Sequence, residues 1–249
     1  MVDVGEKREM KVTLIGMSKP TFDDASLEDV TYTALSQCYN QSFDMDNALE
    51  TPKEHKDKII KAVLNSGHES IAEHTSFTFL IEGCSLNCTH QLVRHRIAAY
   101  SQKSSRYTKL DEGDWYVVPA SISKNPKALQ RYIKNAQDAE DCYYFLVGEC
   151  GIPFEDARFA LPSAKKTNIV VTMNCRALKN FFAHRLCNRA QWEIRAVAQE
   201  MAKLCKYNLP VVFEDAKFGY AKCEQLGYCP ESKKHNCGKM KTLPELLSK

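Results

Sequence analysis

The sequence lacks a long apolar run: the longest, Cys142 to Val147, is six residues, far short of the ~20 that a membrane-spanning helix needs. The first ten residues, MVDVGEKREM, mix charged with apolar side chains and hold no apolar h-region, so a secreted or membrane-bound protein is not expected. No C-x-x-C occurs, which removes thioredoxin-like chemistry and the P-C-x-x-C part of the zinc deaminase signature. Ten glycines are present, yet none fall into G-x-G-x-x-G or G-x-x-x-x-G-K-[ST], so neither common phosphate loop is available. His68-Glu69 is followed by Ala72 where an H-E-x-x-H zinc protease needs its second histidine. There is no G-x-S-x-G elbow and no kinase signature set. Any nucleotide must be held by side chains.

Charge of one sign is also scarce. The 34 Lys and Arg exceed the 31 Asp and Glu by only three, too few to imply a nucleic-acid or membrane partner. The 249 residues, 44% apolar and 26% charged, are ordinary for a globular protein, and a chain this long hides about 70–75% of its unfolded surface. The eleven cysteines are odd in number and scattered from Cys38 to Cys237. They imply a reducing, cytoplasmic setting rather than a disulfide scaffold.

Patterning predicts an opening strand over Met10 to Gly16, a helix over Leu27 to Tyr39, and a polar loop through Asn47. Thr51-Pro52-Lys53-Glu54 reads as a capping box with Pro at the first helical position, and Gly67 as the stop. Between them Ile59, Ile60, Val63 and Leu64 form an apolar face. Phe77 to Ile81 reads as a strand, and Ser85 as the cap of a helix to about Tyr100. Trp115 to Val118 reads as a short strand, and a long helix carries Leu129 through Val147 and ends near Gly151. Phe154 to Leu161 reads as a short helix closed by Pro162, and Asn168 to Met173 as a strand. Two helices follow, Arg176 to Leu186 and Gln191 to Tyr207, the second with a stripe of Ile194, Val197, Ala198, Met201, Ala202 and Cys205. Without regular βαβ alternation, the expected class is α+β: a single domain with a mixed or antiparallel sheet and several long helices.

The chemistry gathers around arginine. Arg94-His95-Arg96 lies late in the helix after Ser85, with Arg96 on its inward stripe of Thr89, Val93, Ile97 and Tyr100. Arg158 falls on the stripe of Phe154, Ala157 and Leu161, and Arg185 seven residues after Leu178. A guanidinium on a core-facing stripe costs free energy unless a planar anion meets it. Each one singly is read as an internal ion pair. Together, with Arg94, Lys103, Arg106 and Arg176 near them in sequence, they suggest a phosphate-bearing ligand. The loop Ser101-Gln102-Lys103-Ser104-Ser105-Arg106-Tyr107-Thr108 adds hydroxyls and amides directly after the triplet.

RHRIAAYSQKSSRY, Arg94 to Tyr107, resembles the R-H-R, seven residues, Ser signature of the flavin-dependent thymidylate synthases, with Ser104 as its Ser. SGHESIAEHTSFTF (Ser66 to Phe79), DARFALP (Asp156 to Pro162) and NCRALKNFFAHRLCNRAQWEI (Asn174 to Ile194) resemble further blocks of that family, in order. The likeness covers roughly Met10 to Phe218. It divides the chain into a catalytic domain, 1–219, and a cysteine-containing tail, 220–249.

The resemblance implies an enzyme that methylates dUMP to dTMP, with methylenetetrahydrofolate as carbon donor and FAD, reduced by NADPH, as hydride carrier. The missing Pro-Cys-His nucleophile segment of the unrelated flavin-independent synthases agrees with it. It assigns Arg94, His95 and Arg96 to FAD, Arg94 also reaching dUMP. Ser70, Gln102, Asn174, Arg176 and Asn180 match further flavin positions, and His68 lies near the folate and flavin rings; His74 takes a structural role. Gln91, Gln102, Ser104, Ser105, Arg106 and Arg158 match the dUMP site, where Ser104 orients rather than attacks. Arg185 matches the catalytic arginine beside N3 of the uracil. Family members are homotetramers with active sites shared between chains.

Two positions depart from the pattern: Ser101 stands where Asn is frequent, and Arg189 where His is. Arg189 is either a pyrophosphate contact or a surface charge. Cys223, Cys229, His235 and Cys237 have metal-ligand chemistry, but their spacing matches no standard zinc module, so the site is expected to hold no metal. Cys84 and Cys88 are expected to pack as small hydrophobes. Two alternatives stay open at this point: the same chemistry on UMP or dCMP, and an RNA-binding protein using Arg94 to Lys109 as its basic surface. Inward-facing arginines argue against the second, so no nucleic acid and no membrane are expected as partners.

Overall fold

The computed structural model describes residues 9–18, 20–23, 25–40, 44–111 and 113–248. The first eight residues and positions 41–43 of the expected polar loop lie outside them. Four strands, β1 (Lys11–Met17), β2 (Ser76–Ser85), β3 (Ala99–Gln102) and β4 (Lys166–Asn174), form one sheet in the order β1-β2-β4-β3. The Thr78 and Thr172 hydroxyls meet at 2.9 Å, and the Gly83 N–H donates to Asn168 Oδ1 at 3.0 Å, so β2 and β4 run antiparallel. The fold is α+β, as the patterning predicts.

The chain divides into two compact units. The larger contains Val12–Leu80, His95–Ala99 and Val171–Lys249. Its helices are α1 (Leu27–Tyr39), α2 (Met45–Glu50) and α3 (Lys53–Asn65), then α8 (Cys175–Arg185), α9 (Trp192–Asn208), α10 (Lys222–Leu226) and α11 (Leu243–Leu247). The α9 stripe is fully in the core, with Ile194, Val197, Ala198, Met201 and Cys205 at 0% exposure. Against it lie Leu178, Phe181 and Phe182 of α8, also buried, and Phe213 meets both Phe77 and Phe182 edge-on. Alternate β2 and β4 residues, Phe77 and Phe79, Val171 and Met173, are buried, the period of a strand with one core face.

Ser26 starts α1 by donating its N–H and hydroxyl to Asp29. The buried Lys56 amine bonds the Asp29 carboxylate and the Leu49 carbonyl, tying the first three helices together. Gly67, at φ +93°, closes α3 in a Schellman turn: its N–H reaches Leu64 O at 3.1 Å and that of His68 reaches Val63 O at 3.2 Å.

The smaller unit contains Ile81–Arg94 and Tyr100–Val170, with Glu9, Met10 and Lys11. Its helices are α4 (Leu86–Leu92), α5 (Ala120–Ser123), α6 (Pro126–Gly148) and α7 (Phe154–Ala157). Its core gathers Leu110, Trp115, Ala136, Tyr143 and Ala157. Cys84 and Cys88 are buried as expected.

Five sequence expectations need correction. The polar loop to Asn47 gives way to α2, capped by Asp44, whose carboxylate accepts the Asp46 N–H. The Thr51 capping box does not form, because the Thr51 hydroxyl turns back to Asn47 O at 2.8 Å and Pro52 itself is the cap of α3. Trp115 to Val118 makes a single bridge, Tyr116 to Lys165, since it pairs only with the turn before β4. The Phe154 helix tightens into a 3-10 turn at Arg158–Ala160, because Pro162 pushes Leu161 into extended backbone.

The largest correction concerns the basic triplet. Helix α4 ends at Leu92, not Tyr100. The Tyr100 hydroxyl donates to the Leu92 carbonyl at 2.9 Å, satisfying an end that would otherwise continue the helix. Arg94-His95-Arg96 therefore lies in irregular chain between α4 and β3. Arg94 and Arg96 are exposed, as are Val93 and Ile97 of the supposed inward stripe.

Candidate active site

In the larger unit the expected site residues cluster around α8. Asn174 caps this helix by accepting the Ala177 N–H at 2.9 Å, and the buried Leu178, Phe181 and Phe182 fix its rotation. Arg185, half-buried, is its last residue. Its Nε–H donates to His95 Nε2 at 3.0 Å. An accepting Nε2 leaves the His95 proton on Nδ1. The His95 ring stands edge-on to Phe181, 5.0 Å between centroids, and tilted beside His184. Burial, then the Arg185 guanidinium, then His184 push His95 down to about 4, so near neutral pH the imidazole carries no charge.

On the same unit Arg176 pairs with Glu73 and, at 3.7 Å, with Glu69. Lys179 pairs with Glu69 while its amine lies 4.5 Å over the Phe218 ring. Ser70, at the start of the 3-10 turn Ser70–Glu73, and Asn180 are exposed. His68 is exposed too, its ring edge-on to Tyr39 at 6.3 Å, as is His74 at the end of that turn. Arg96 has no carboxylate partner among the described residues.

In the smaller unit Ser85 caps α4 by accepting the Cys88 N–H at 3.1 Å, and the Gln91 amide donates to Asn87 O. Gln102 reaches Thr167 at 3.5 Å. The loop after β3 folds on itself: Ser104 O accepts the Thr108 hydroxyl at 2.8 Å, and Ser104 Oγ accepts the Arg106 N–H at 3.3 Å. The Arg106 fork engages Glu155 through two nitrogens, at 2.9 and 2.8 Å. Arg158 is half-buried and donates through Nε to Glu155 O at 3.0 Å. Lys103 takes both oxygens of Asp111 at 2.8 Å. Arg94 lacks a carboxylate partner among the described residues.

Sequence reasoning missed the acids that hold these cations, Glu69, Glu73, Asp111 and Glu155, and it missed Lys165. The Lys165 amine donates to Ser105 Oγ at 3.1 Å. Burial, then Lys103 nearby, pull its proton affinity down, Asp111 partly offsetting them and Arg158 adding to them. The only sequence signal was the pair Lys165-Lys166 ahead of a strand, which reads as a solvated strand end.

The tail supplies no metal centre among the described residues. Cys223 and Cys229 are buried with Ala221 against Leu186 and Met240, while Cys237 is exposed. Arg189 turns to this tail, donating to His235 O at 3.1 Å and lying 3.6 Å from Glu231. No described helix is long and apolar enough to cross a membrane.

Residues 23–211 match the family described as thymidylate synthase complementing protein. The chain is 48% identical to the flavin-dependent thymidylate synthase of Nitratidesulfovibrio vulgaris, over 84% of this chain and 88% of that one. It is 43% identical to that of Pyrococcus furiosus, over 89% and 90%. Among solved structures, a UMP/dUMP methylase from Streptomyces cacaoi, bound with 5-Br dUMP, shares the fold at a TM-score of 0.71 and 23% identity, covering 86% of this chain and 96% of that one.

Proposed function

Because this chain belongs to the flavin-dependent thymidylate synthase family, we propose that it methylates dUMP to dTMP in the cytoplasm. Methylenetetrahydrofolate supplies the carbon, and FAD, reduced by NADPH, supplies the hydride. The observation that carries this reading is the bond from Arg185 to an uncharged His95.

The donor set fits a flavin dinucleotide. Arg94 and Arg96 are exposed guanidiniums with no carboxylate partner among the described residues, and guanidinium forks suit pyrophosphate oxygens. Those two arginines and His95 hold FAD in this reading, with Ser70, Gln102, Asn174, Arg176 and Asn180. Asn174 serves through its amide nitrogen, since its oxygen is committed to the helix cap. Glu73 orients Arg176 for the same task. His68, at the Schellman turn, would meet the folate and flavin rings when they are bound.

Gln91, Arg94, Gln102, Ser104, Ser105, Arg106 and Arg158 bind dUMP. Ser104 orients the nucleotide: its oxygen accepts from the Arg106 N–H, and no base contacts it among the described residues to make it a nucleophile. Arg185 lies against N3 of the uracil and stabilises the negative charge that makes C5 nucleophilic. Neutral His95 fixes the guanidinium through Nε without adding a competing positive charge. Hydride chemistry belongs to the flavin when it is bound. The working enzyme is a homotetramer whose subunits share sites, with 1–219 as catalytic domain and 220–249 as a tail packed on Leu186.

An anaerobic absorbance titration with NADPH and dUMP, followed by product analysis, tests the reading. Bleaching of a flavin spectrum and appearance of dTMP once methylenetetrahydrofolate is added are expected. A colourless protein that takes up no FAD would overturn it, as would methylation of UMP or dCMP in preference to dUMP. His95→Ala should lose flavin on gel filtration; full cofactor content in that variant would remove His95 from the flavin site.

A further inference from the structure

Within the smaller unit, three cations near the Ser104–Arg106 loop engage carboxylates and Arg158 donates to a backbone carbonyl, whereas Lys165 does neither among the described residues. Lys103 is clasped by Asp111, Arg106 by Glu155, and Lys166, the neighbour of Lys165, by Asp114. Lys165 is half-buried, yet its side-chain partner is a neutral hydroxyl, Ser105 Oγ, and no carboxylate pairs with it among the described residues. A partly desolvated ammonium paired with no carboxylate and offset only in part by Asp111 is unfavourable. It persists here because the backbone is fixed around it. The Lys165 N–H bonds Pro162 O at 3.0 Å, and its carbonyl accepts the Leu86 N–H at 3.0 Å. Ala164 O accepts from Val117 at 2.9 Å, and the Lys166 N–H bonds Trp115 O at 2.7 Å. The amine is thus held beside Ser105 by rigid main chain, with Lys103 and Arg158 close enough to repel its proton. This is a preorganised site for an anion.

We propose that Lys165 anchors the 5′-phosphate of the nucleotide substrate, its amine and the Ser105 hydroxyl binding the phosphate oxygens. The assignment rests on the nucleotide reading above and adds a residue to it. A phosphate dianion supplies the counter-charge that the described protein groups do not, and a lysine amine binds it as a point charge beside the arginine forks.

The test measures equilibrium binding of dUMP, deoxyuridine and inorganic phosphate to the full chain as purified, for the wild type, Lys165→Met, Lys165→Gln and Lys165→Arg. Both neutral variants should weaken dUMP binding by about ten- to a hundredfold, the loss of one charge-assisted hydrogen bond. Deoxyuridine, which lacks the phosphate, should bind within about twofold of wild type, and inorganic phosphate should no longer compete. Lys165→Arg should restore most of the affinity. Because the native amine has no ion pair to lose among the described residues, thermal melting of the neutral variants should match or exceed wild type. Unchanged dUMP affinity, or equal weakening of dUMP and deoxyuridine, would overturn the proposal. A wild-type protein that binds phosphate in a Lys165-dependent way but ignores dUMP would sink the nucleotide reading while leaving the anion site standing. A protein that binds neither sinks both.

Discussion

The two units handle positive charge differently. In the larger, each cation of the α8 group has a partner: Arg176 has Glu73, Lys179 has Glu69, and Arg185 has an imidazole kept neutral by burial and by the guanidinium itself. In the smaller, the loop cations Lys103 and Arg106 are matched by acids while Lys165 is left with a hydroxyl. The first arrangement aims a charge; the second leaves one unbalanced. Aiming suits a group that must meet charge developing on a ring during reaction, and imbalance suits a group that waits for an anion.

The strongest way to break this contrast is Arg185→Ala. Turnover to dTMP should fall by about 10²–10³ or more, with flavin absorbance after purification unchanged; loss of the flavin instead would make Arg185 a cofactor residue. Next comes the core that aims it. Phe182→Ala should cost about 3–5 kcal/mol in urea unfolding, since Phe182 is fully buried between α8 and Phe213. Asn174→Ala, which removes the α8 cap, should cost about 1 kcal/mol by the same measurement. The half-buried ion pair is the weakest: Lys179→Met should change stability by no more than about 1 kcal/mol, because partly solvated ion pairs contribute little.

His95 sharpens the contrast through pH. Its ordinary value is 6.5 and its folded value about 4. Between those limits the unfolded chain takes up a proton that the folded chain refuses, so stability rises with pH across the window and is lost on acidification. Below about pH 4 both states are protonated and the slope ends. His95→Gln keeps an acceptor for Arg185 without titrating. Its melting temperature should therefore decline less than that of wild type between pH 6.5 and pH 4. Parallel decline in the two proteins would show that His95 titrates normally.

Helices with one apolar face were legible in sequence. The Leu27–Tyr39 helix has its expected bounds, and the Ile194-to-Cys205 stripe is the buried face of α9. Both follow from periodicity, a local signal. The end of α4 was illegible because what stops it is a phenol eight residues downstream. The chemistry-bearing residue types were readable from their motif, but their roles depend on partners far along the chain. Arg176 meets Glu73 across 103 positions and Arg185 meets His95 across 90. No spacing rule reaches so far, and none singles out Lys165.

The Tyr100–Leu92 bond has one more consequence, for the chain it encloses. By joining positions eight apart, it closes a small ring of backbone that contains all of Arg94, His95 and Arg96. A ring so short has few shapes, and the entropy of selecting one is spent during folding rather than when a ligand arrives. Burial drives the phenol up to about 12, so this fastener keeps its proton at and well above neutral pH. The loop that carries the Arg94-His95-Arg96 triplet is thereby restricted in shape without being a helix.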